Sequence, residues 1–559
     1  MATTTTTEEI TIVDKTDHQI EIQPHQTGEA SASAGRTVSS NAASQTETQQ
    51  NPPSEEAYPT GLRLWLTVLT ISAVLILGAL DINIVATAVP SITNEFRTSA
   101  DVGWYSSAFR LTTCAFQFMF GKLYKFFRVK KVFMASNALF LLSSVICATA
   151  TGSKGFIVGR AISGLGFAGV LSGLNAFHVF PPRQRPVFIG CMCALESVAI
   201  VGAPIVGGAL TQSLGWRWCF WINLPVAGVA LLISFFCLQD PVLSSGDLEL
   251  PLKEKIAQLD FVSNAVFIPG LTCLFIALSW AGVKYPWSDG RVIGLLAVFG
   301  VCMAAFLFNQ HRRGDRAALP LRLFKYRSII GGFIFSSGVN SVLNVFSYYL
   351  PTYYQVVRDY SPAKAGLMMI PITIGDSIGA VLLGLGTSLW GYYTPFMLVA
   401  SVGMPIFAGL ISTFDPATMY ARLIVYSGAV GLTTGIGYMG PNHATRTVLK
   451  PEDASLGISI ILFGGNFGPA LFIAVAQVIF SNQLSANLKT SIPGATSPGL
   501  DSSGLHGILD SLPPAQRADA VAAVSKSLSE TWYLAVALGG ATLIGSLLME
   551  WRSVKQKKA

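Results

Sequence analysis

Charged residues are scarce in this sequence, and their scarcity excludes a water-soluble fold. Only 12% of the 559 residues are Asp, Glu, Lys or Arg, whereas soluble globular domains carry roughly 25%. Hydrophobic residues make up 51% of the chain, and the mean hydropathy of +0.52 is too high for a surface that faces water. We therefore expect an integral membrane protein.

Motifs for metals, nucleotides and disulfides are also missing. The six His residues do not cluster, and the eight Cys residues show neither metal-type spacing nor a disulfide framework. No Gly-x-x-x-x-Gly-Lys-Ser/Thr loop for an ATP-driven pump occurs. The net charge of +7 does not indicate nucleic acid, because the basic residues lie in short loops between apolar runs. We expect no metal, no cofactor and no nucleic-acid partner.

The apolar residues fall into runs of about 20, which is long enough to cross ~30 Å of hydrocarbon as a helix. Runs such as 65–80 and 295–308 are apolar on nearly every face, whereas the strands of a membrane barrel alternate. We count fourteen runs between residues 64 and 550. The sequence therefore predicts an all-α membrane protein with about 14 transmembrane helices and both ends on one side.

Basic residues in the loops give the predicted helices a direction. With both tails in the cytoplasm, 22 Lys and Arg residues lie on the cytoplasmic side and 11 on the other, as the positive-inside rule requires. The tail 1–61 is rich in Thr, Ser, Gln and Glu, which predicts disorder, and 551–559 forms a basic C-terminal tail. The plasma membrane is the expected location; vacuolar and vesicle membranes are alternatives, because the rule is the same there.

Four charged residues lie inside predicted helices of the first half: Asp81, Arg110, Arg160 and Glu196. A charge inside a membrane helix is expensive, which makes each a functional candidate. A carboxylate that alternates between a buried site and a nearby Arg can bind and release a proton, so we expect proton coupling here. The alternatives are structural: Asp81 near a helix end, Arg160 snorkelling to the surface, and Glu196 as a partner of either Arg.

Small residues form a stripe in the fifth predicted helix, which reads Gly202-Ala-Pro-Ile-Val-Gly-Gly208. Small residues four apart allow a neighbouring helix to approach closely, and Pro204 removes a backbone hydrogen bond and bends the helix. The stripe predicts either tight packing or a hinge. The fourth helix has a similar stripe at Gly164, Gly166, Gly169 and Gly173.

Several ordered motifs resemble the major facilitator superfamily, and in particular the fourteen-helix drug:proton antiporters of fungi. The motifs are Leu80-Asp-Ile-Asn-Ile-Val-Ala-Thr-Ala-Val-Pro90, Gly121-Lys-Leu-Tyr-Lys-Phe-Phe127, Gly159-Arg-Ala-Ile-Ser-Gly-Leu-Gly166, Pro204-Ile-Val-Gly-Gly208, Trp216-Arg-Trp-Cys-Phe-Trp-Ile-Asn-Leu-Pro225 and Tyr348-Tyr-Leu-Pro-Thr-Tyr-Tyr-Gln355. The resemblance covers residues 60 to 550.

The resemblance implies the major facilitator fold, arranged as 6 + 2 + 6 helices. The six-helix halves are 62–238 and 328–550, and 239–327 holds cytoplasmic linkers and two inserted helices. We predict an extracytoplasmic hairpin over 482–529, in which 514–528 forms a short amphipathic helix.

The resemblance also implies residue roles. Proton coupling is assigned to Asp81 and Arg160, to which the embedded charge adds Glu196. Gating is assigned to the loop residues Gly121, Lys122 and Arg128 and to Gly202, Pro204, Gly207 and Gly208 of the fifth helix. The second half offers polar and aromatic groups for a substrate. With Arg110, we expect the substrate-binding residues to be Asn340, Asn344, Tyr348, Asp376 and Tyr438.

Three residues depart from the family pattern. Lys125 stands where the loop usually has an acid, which leaves a charge relay through that acid in doubt. Ala203 replaces a Gly before Pro204. Arg110 occupies a position that is commonly apolar, and we expect it to favour an anionic or oxygen-rich substrate.

The function that we expect is proton-driven export of a small amphipathic molecule, such as a toxin, secondary metabolite or drug, by alternating access. The expected partners are this substrate, protons and the bilayer, with a monomeric chain and the proton gradient as the energy source. Proton-coupled import of a siderophore-like or other small metabolite is the alternative. A membrane receptor or enzyme is a remote one.

Overall fold

The computed structural model describes residues 61–96, 102–176, 184–238, 251–257, 259–281, 285–314, 319–491 and 513–555, together with 180, 181, 240 and 317. The predicted N-terminal tail, the middle of the predicted hairpin and the last four residues lie outside the described residues.

The first half consists of helices that reverse direction at each loop. They are α1 (Gly61–Phe96), α2 (Val102–Ala115), α3 (Gln117–Phe126), α4 (Val129–Ala148), α5 (Ser153–Ala176), α6 (Arg185–Ser213), α7 (Trp218–Trp221) and α8 (Asn223–Cys237). Phe116 separates α2 from α3, but the helical backbone hydrogen bonds continue across it. Phe116 N–H donates to Thr112 O, and Phe120 N–H donates to Phe116 O, both at 3.1 Å. The two helices therefore form one interrupted segment.

The described part of the remaining chain is also mainly helical. It contains α9 (Leu252–Ala257), α10 (Phe261–Trp280), α11 (Gly290–Arg313), α12 (Arg327–Thr352), α13 (Pro362–Leu367), α14 (Ile370–Trp390), α15 (Thr394–Ile411), α16 (Tyr420–Tyr438), α17 (Gly440–Val448), α18 (Pro451–Ser491) and α19 (Pro514–Leu547). A 3₁₀ turn at Leu321–Lys325 precedes α12, and a π-turn at Tyr353–Val357 follows it. The predicted all-α membrane fold is confirmed.

Within the described residues, eleven helical segments are long and apolar enough to cross a membrane. The predicted crossings that do not meet this criterion correspond to α2 with α3, to α6 and to α19. The helix order therefore fits fourteen crossings arranged as 6 + 2 + 6.

Contacts between helix ends show that the chain alternates between two faces. On one face, which we call the basic face, Arg63 donates to Cys237 O at 2.9 Å and Lys125 pairs with Asp453 at 3.3 Å. On the other, the far face, Arg217 pairs with Glu95 at 2.7 Å. The basic face is the one that the loop charges predict to be cytoplasmic.

The last two long helices extend beyond the predicted spans. The helix α18 continues to Ser491, and α19 begins at Pro514, so the predicted helix at 514–528 is the first part of α19 rather than a separate element. The reason is packing, because the side chains of Ala520, Val524 and Leu528 are buried in the core of the second half. Only the residues between the two helices remain as a candidate loop.

Glycines set the spacing of the helices that carry the embedded charges. In α5, a Cβ at Gly166 would lie 2.8 Å from Phe140 N, so the predicted stripe does pack tightly against α4. The sequence analysis missed a second set, in which Gly375 and Gly379 of α14 approach the backbone of α16. The α14–α16 contact holds Asp376, which lies between these two glycines, close to α16.

The inserted helices α10 and α11 pack against both halves. Phe118 of α3 lies 5.7 Å from Phe267 of α10 and 4.8 Å from Phe463 of α18, measured between ring centroids. Phe267 in turn stacks on Phe306 of α11 at 4.6 Å. The inserted pair therefore covers the boundary between α2/α3 and α18.

Candidate functional site

Asp81 of α1 and Arg160 of α5 form an ion pair inside the first half. Both side chains are completely buried, and the guanidinium binds the Asp81 carboxylate. Arg160 also donates to the backbone oxygens of Asp81 at 3.2 Å and Tyr105 at 2.9 Å, and it lies over the ring of Phe109 at 4.8 Å. The structure thus joins one acid and one base of the four predicted charges, and Arg160 does not snorkel.

A third polar residue supports the pair, and the sequence analysis did not single it out. Asn223, at the start of α8, donates weakly to Asp81 at 3.4 Å and to the hydroxyl of Ser144 at 3.2 Å. Its signal was present in the sequence, because Asn223 belongs to the motif that begins at Trp216. A polar residue within an otherwise apolar segment was the feature to notice.

An apolar groove of about 330 Å³ lies beside the ion pair. Helix α1 forms one wall, and Val206 of α6 together with residues of α7 and α8 forms the other. Leu69 and Val226 at its border are exposed on the protein surface, and Asp81 is among its lining residues. The groove therefore lies between a surface that faces lipid and the helix turn that carries Asp81.

Arg110 of α2 is partly exposed and stands apart from the acids. It lies within electrostatic range of Arg160, and the described residues give it no hydrogen bond or ion pair. Further along the same segment, Thr113 bonds to Gly164 O of α5, and Phe118 contacts α10 and α18. Arg110 is thus a positive charge within a membrane segment that the described side chains do not neutralise.

Three predicted residues meet at the boundary between α6 and α14, although the sequence assigned them to different roles. Asp376, only 6% exposed, accepts hydrogen bonds from Ser197 Oγ at 2.5 Å and Thr434 Oγ1 at 3.1 Å. Glu196 and Tyr438 lie within electrostatic range of Asp376. The prediction that Glu196 partners Arg110 or Arg160 is wrong for the described contacts, because Glu196 lies near α14 of the other half.

The same boundary is tightly packed toward the basic face. A Cβ at Gly190 of α6 would lie 2.6 Å from Ala380 O, and one at Gly384 of α14 would lie 2.6 Å from Pro186 O. Ser377 Oγ also donates to Ala194 O at 3.3 Å. We call this α6–α14 boundary the seam; it is closed at the level of Asp376 and below it toward the basic face.

The other predicted substrate residues lie along α12. Asn340 and Asn344 are half-buried and donate to the backbone oxygens of Ser336 and Asn340 at 2.9 and 2.8 Å, which leaves their side-chain oxygens as acceptors. Tyr348 is 53% exposed. The described contacts do not bring these three residues together with Asp376 and Tyr438.

The predicted gate on the basic face is closed. The sequence did not reveal which half supplies the acid and which supplies the base. Lys125 of α3 pairs with Asp453 at the start of α18, and Arg322 pairs with the same carboxylate at 2.8 Å. The acid that the loop lacks is therefore supplied by the opposite half, where it also interacts favourably with the positive end of the helix dipole of α18.

The remaining predicted gate residues differ in their surroundings. A Cβ at Gly121 would clash with the Ser459 hydroxyl of α18, so this glycine does allow close approach. Lys122 is buried, with its Nζ 5.7 Å from the centre of the Phe126 ring. Arg128 is exposed at the start of α4, and within the described part of the chain it has no ion pair.

The stripe of α6 does not pack as the stripe of α5 does. Ala203 is completely buried beside Ile84 and Val85 of α1, but a Cβ at Gly202 or Gly208 would meet open space. Pro204 and Gly207 lie within the continuous helix. Tight packing is therefore not the reason for Gly202 and Gly208 in this conformation.

A polar clamp joins the end of α1 to the loop before α7 at the far face of the first half. Glu95 pairs with Arg217 of the loop before α7 and accepts a hydrogen bond from Trp216 Nε1 at 2.7 Å. Glu95 is the penultimate residue of α1 and lies ten residues beyond the crossing segment Gly61–Val85, so this carboxyl lies outside the membrane-spanning segment. The hydrogen bonds from Arg217 and Trp216 lower the pKa of Glu95 below its ordinary value.

Known proteins resemble this chain along most of its length. Residues 71–473 match the family described as the Major Facilitator Superfamily. The chain is 37% identical over 519 residues to the MFS-type efflux pump MFS1 of Arthroderma benhamiae, covering 92% of this chain and 97% of that protein. It is 36% identical over 502 residues to the efflux pump aflT of Aspergillus parasiticus, covering 89% and 97%.

Solved structures show the same fold at much lower identity. The human organic anion transporter MFSD10 superimposes with a TM-score of 0.51 at 15% identity, covering 85% of this chain and 99% of that one. The proton:xylose symporter XylE gives a TM-score of 0.53 at 14% identity, covering 87% and 94%. The chain therefore belongs to the major facilitator superfamily, in its branch of fungal efflux pumps, and is a transporter rather than an enzyme.

Proposed function

We propose that this protein is a proton-coupled antiporter that exports a small amphipathic molecule, such as a secondary metabolite, toxin or drug, from a fungal cell. The observation that carries the proposal is the completely buried ion pair of Asp81 and Arg160 within the membrane helices. A paired charge at this depth is expensive to bury, and proton relays are among the functions for which membrane proteins keep such charges. The similarity to fungal efflux pumps supports the direction of transport.

The proposed mechanism is alternating access between the two halves. In the conformation described, the basic face is held closed by Lys125 with Asp453, by Gly121 against Ser459 and by the tight part of the seam. For substrate to enter from the cytoplasm, these contacts separate while the far face closes. Gly202 and Gly208, which have open space here, lie on the part of α6 that would then approach its neighbours.

The proposed substrate site lies between the halves, near the midplane. Arg110, Asn340, Asn344, Tyr348 and Tyr438 are the binding residues that we propose, with Asp376 near Tyr438. Because Arg110 has no counter-charge among the described residues, we propose that it favours a substrate with an anionic or oxygen-rich group. The proton gradient is the energy source, and no cofactor is needed.

The proposed setting is the plasma membrane, with a monomeric chain and both tails in the cytoplasm. The greater number of basic residues in the loops of the basic face supports this orientation.

Transport by inside-out vesicles tests the mechanism. Vesicles that contain the full chain are energised with an acidic interior and supplied with fluorescent substrates of opposite charge, rhodamine 6G and carboxyfluorescein. We expect proton-dependent accumulation inside the vesicles, and accumulation that persists unchanged after an ionophore collapses the gradient would rule out antiport. Accumulation only under the reverse gradient would indicate import instead.

The role of Arg110 is tested in the same vesicles. Arg110→Leu should reduce transport of the anionic probe more than that of the cationic one, because the positive charge is lost. Arg110→Lys, which keeps the charge, is the matched control. If Arg110→Leu leaves both transport and substrate range unchanged, Arg110 does not select the substrate.

A further inference from the structure

Asp376 is a buried carboxylate without a cationic partner among the described residues. Its side chain accepts only the hydroxyl hydrogen bonds of Ser197 and Thr434. Helix α14 packs mainly against α6 and α16. The titratable groups that these helices bring within electrostatic range of Asp376 are Glu196 and Cys193 of α6 and Tyr438 of α16, so this surrounding contains acids but no base.

The surroundings of Asp376 differ from those of Asp81. Arg160 pairs with the completely buried Asp81 and balances its charge. Asp376 lacks such a cation, and an ionised carboxylate buried without one is so unfavourable that it takes up a proton instead. Glu196 lies within electrostatic range of Asp376, and two carboxylates that share a site do not both ionise easily. The buried carboxylate that has no cation to balance its charge is thus on the seam.

Hydrogen bonds of Asp376 connect the two halves. Ser197 belongs to the first half and donates to Asp376 of the second. Next to it, Ser377 of the second half donates to Ala194 O of the first. Opening of the seam from the basic face would break both bonds and expose the Asp376 carboxylate to water.

We propose that Asp376, with Glu196 beside it, carries the coupling proton, and that the seam closes only while Asp376 is neutral. The inference rests on the proposed antiport. When the seam opens, the O–H bond of the Asp376 carboxyl breaks, and the proton passes to water on the basic face. The carboxylate that remains cannot be buried again until a proton neutralises it or hydrogen bonds from the substrate stabilise its charge. An empty carrier is thereby prevented from closing, which is the condition for exchange.

Seam opening can be measured without knowing the substrate. Spin labels are attached at Gln184→Cys and Leu389→Cys, two exposed positions at the basic ends of α6 and α14, in the full chain with the exposed Cys191 changed to Ser. Distances are recorded by pulsed electron paramagnetic resonance in lipid nanodiscs over a pH series. We expect the distance to be short at low pH and to lengthen as pH rises, because deprotonation of Asp376 disfavours the closed seam.

Variants at the seam decide whether Asp376 is responsible. Asp376→Asn is permanently neutral and should keep the distance short at every pH, whereas Asp376→Glu should restore the pH dependence. Ser377→Ala is the matched control, since it removes a hydrogen bond across the same seam without changing a charge. A pH-independent distance in the unmodified chain, or the same pH-dependent opening in Asp376→Asn, would overturn the proposal.

The vesicle assay separates this inference from the proposed function. Asp376→Asn should lose at least tenfold in proton-driven accumulation, because the empty carrier now closes without a proton. If the unmodified chain accumulates substrate and Asp376→Asn accumulates it equally well, only the role of Asp376 is refuted. If the unmodified chain shows no dependence on the gradient, the antiport itself is refuted.

Discussion

Replacing Asp81 by Asn should destabilise the first half strongly, because it leaves the Arg160 charge buried without a counter-ion. Both side chains are completely buried, and removing one partner of a buried ion pair typically costs about 3–5 kcal/mol. The Asn oxygen and the backbone oxygens of Asp81 and Tyr105 still accept hydrogen bonds from Arg160. We therefore expect about 3 kcal/mol, a change of about 100-fold in the unfolding equilibrium.

The measurement is reversible unfolding by SDS in mixed micelles, followed by tryptophan fluorescence. Arg160→Gln and the double variant complete a double-mutant cycle, in which the double variant should lose less than the sum of the single losses because it leaves neither charge unpaired. A loss below about 1 kcal/mol for Asp81→Asn, as is typical of exposed pairs, would show that water reaches the pair. Strictly additive losses would show that the two side chains do not depend on each other.

Further outcomes follow from the gate, the seam and the far-face clamp. Asp453→Asn should open the basic face, detected as several-fold faster labelling of an introduced cysteine on α18 by an impermeant maleimide, whereas Glu452→Gln at the exposed neighbour should not. Gly384→Ala should lower transport and thermal stability, because its Cβ would meet Pro186 O at 2.6 Å, while Gly208→Ala, which has open space, should keep the stability unchanged in this conformation. The lowered pKa of Glu95 stabilises the folded state at pH values above the ordinary pKa of 4.5, and this stabilisation is lost as pH falls through the lower pKa of the folded state. Glu95→Gln should therefore flatten that part of the profile of stability against pH. A profile that the variant leaves unchanged would show that the clamp does not form.

The all-α membrane fold could be predicted because a helix that crosses the bilayer requires a long apolar run, and loop charges predict the direction of each crossing. The ion pair of Asp81 and Arg160 was predictable for a similar reason, since charges inside an apolar run demand partners. The ends of α18 and α19 were not, because residues 482–491 and 514–529 are polar enough for a loop and become helical through packing against the second half.

Contacts between the halves were the least predictable part of the site. Asp376 and Glu196 are separated by 179 residues or more in sequence from the groups that they meet across the seam. The pattern of apolar residues does not determine how α6 and α14 are rotated about their own axes. Lys125 illustrates the same limit, because its partner Asp453 lies 328 residues later in the chain. Sequence patterns identify such residues as candidates, but only packing decides which of them meet.

The aromatic contact of Phe118, Phe267 and Phe463 makes the two boundaries between the halves chemically unequal. The inserted helices shield the α2/α3–α18 boundary from the bilayer, and α11, of which only 11% is buried, presents its remaining surface to lipid. The inserted pair does not cover the seam of α6 and α14 in the same way. Within the described residues, the inserted pair therefore covers one boundary and leaves the other without such a cover, so lipid composition should influence transport through the side that carries Glu196 and Asp376.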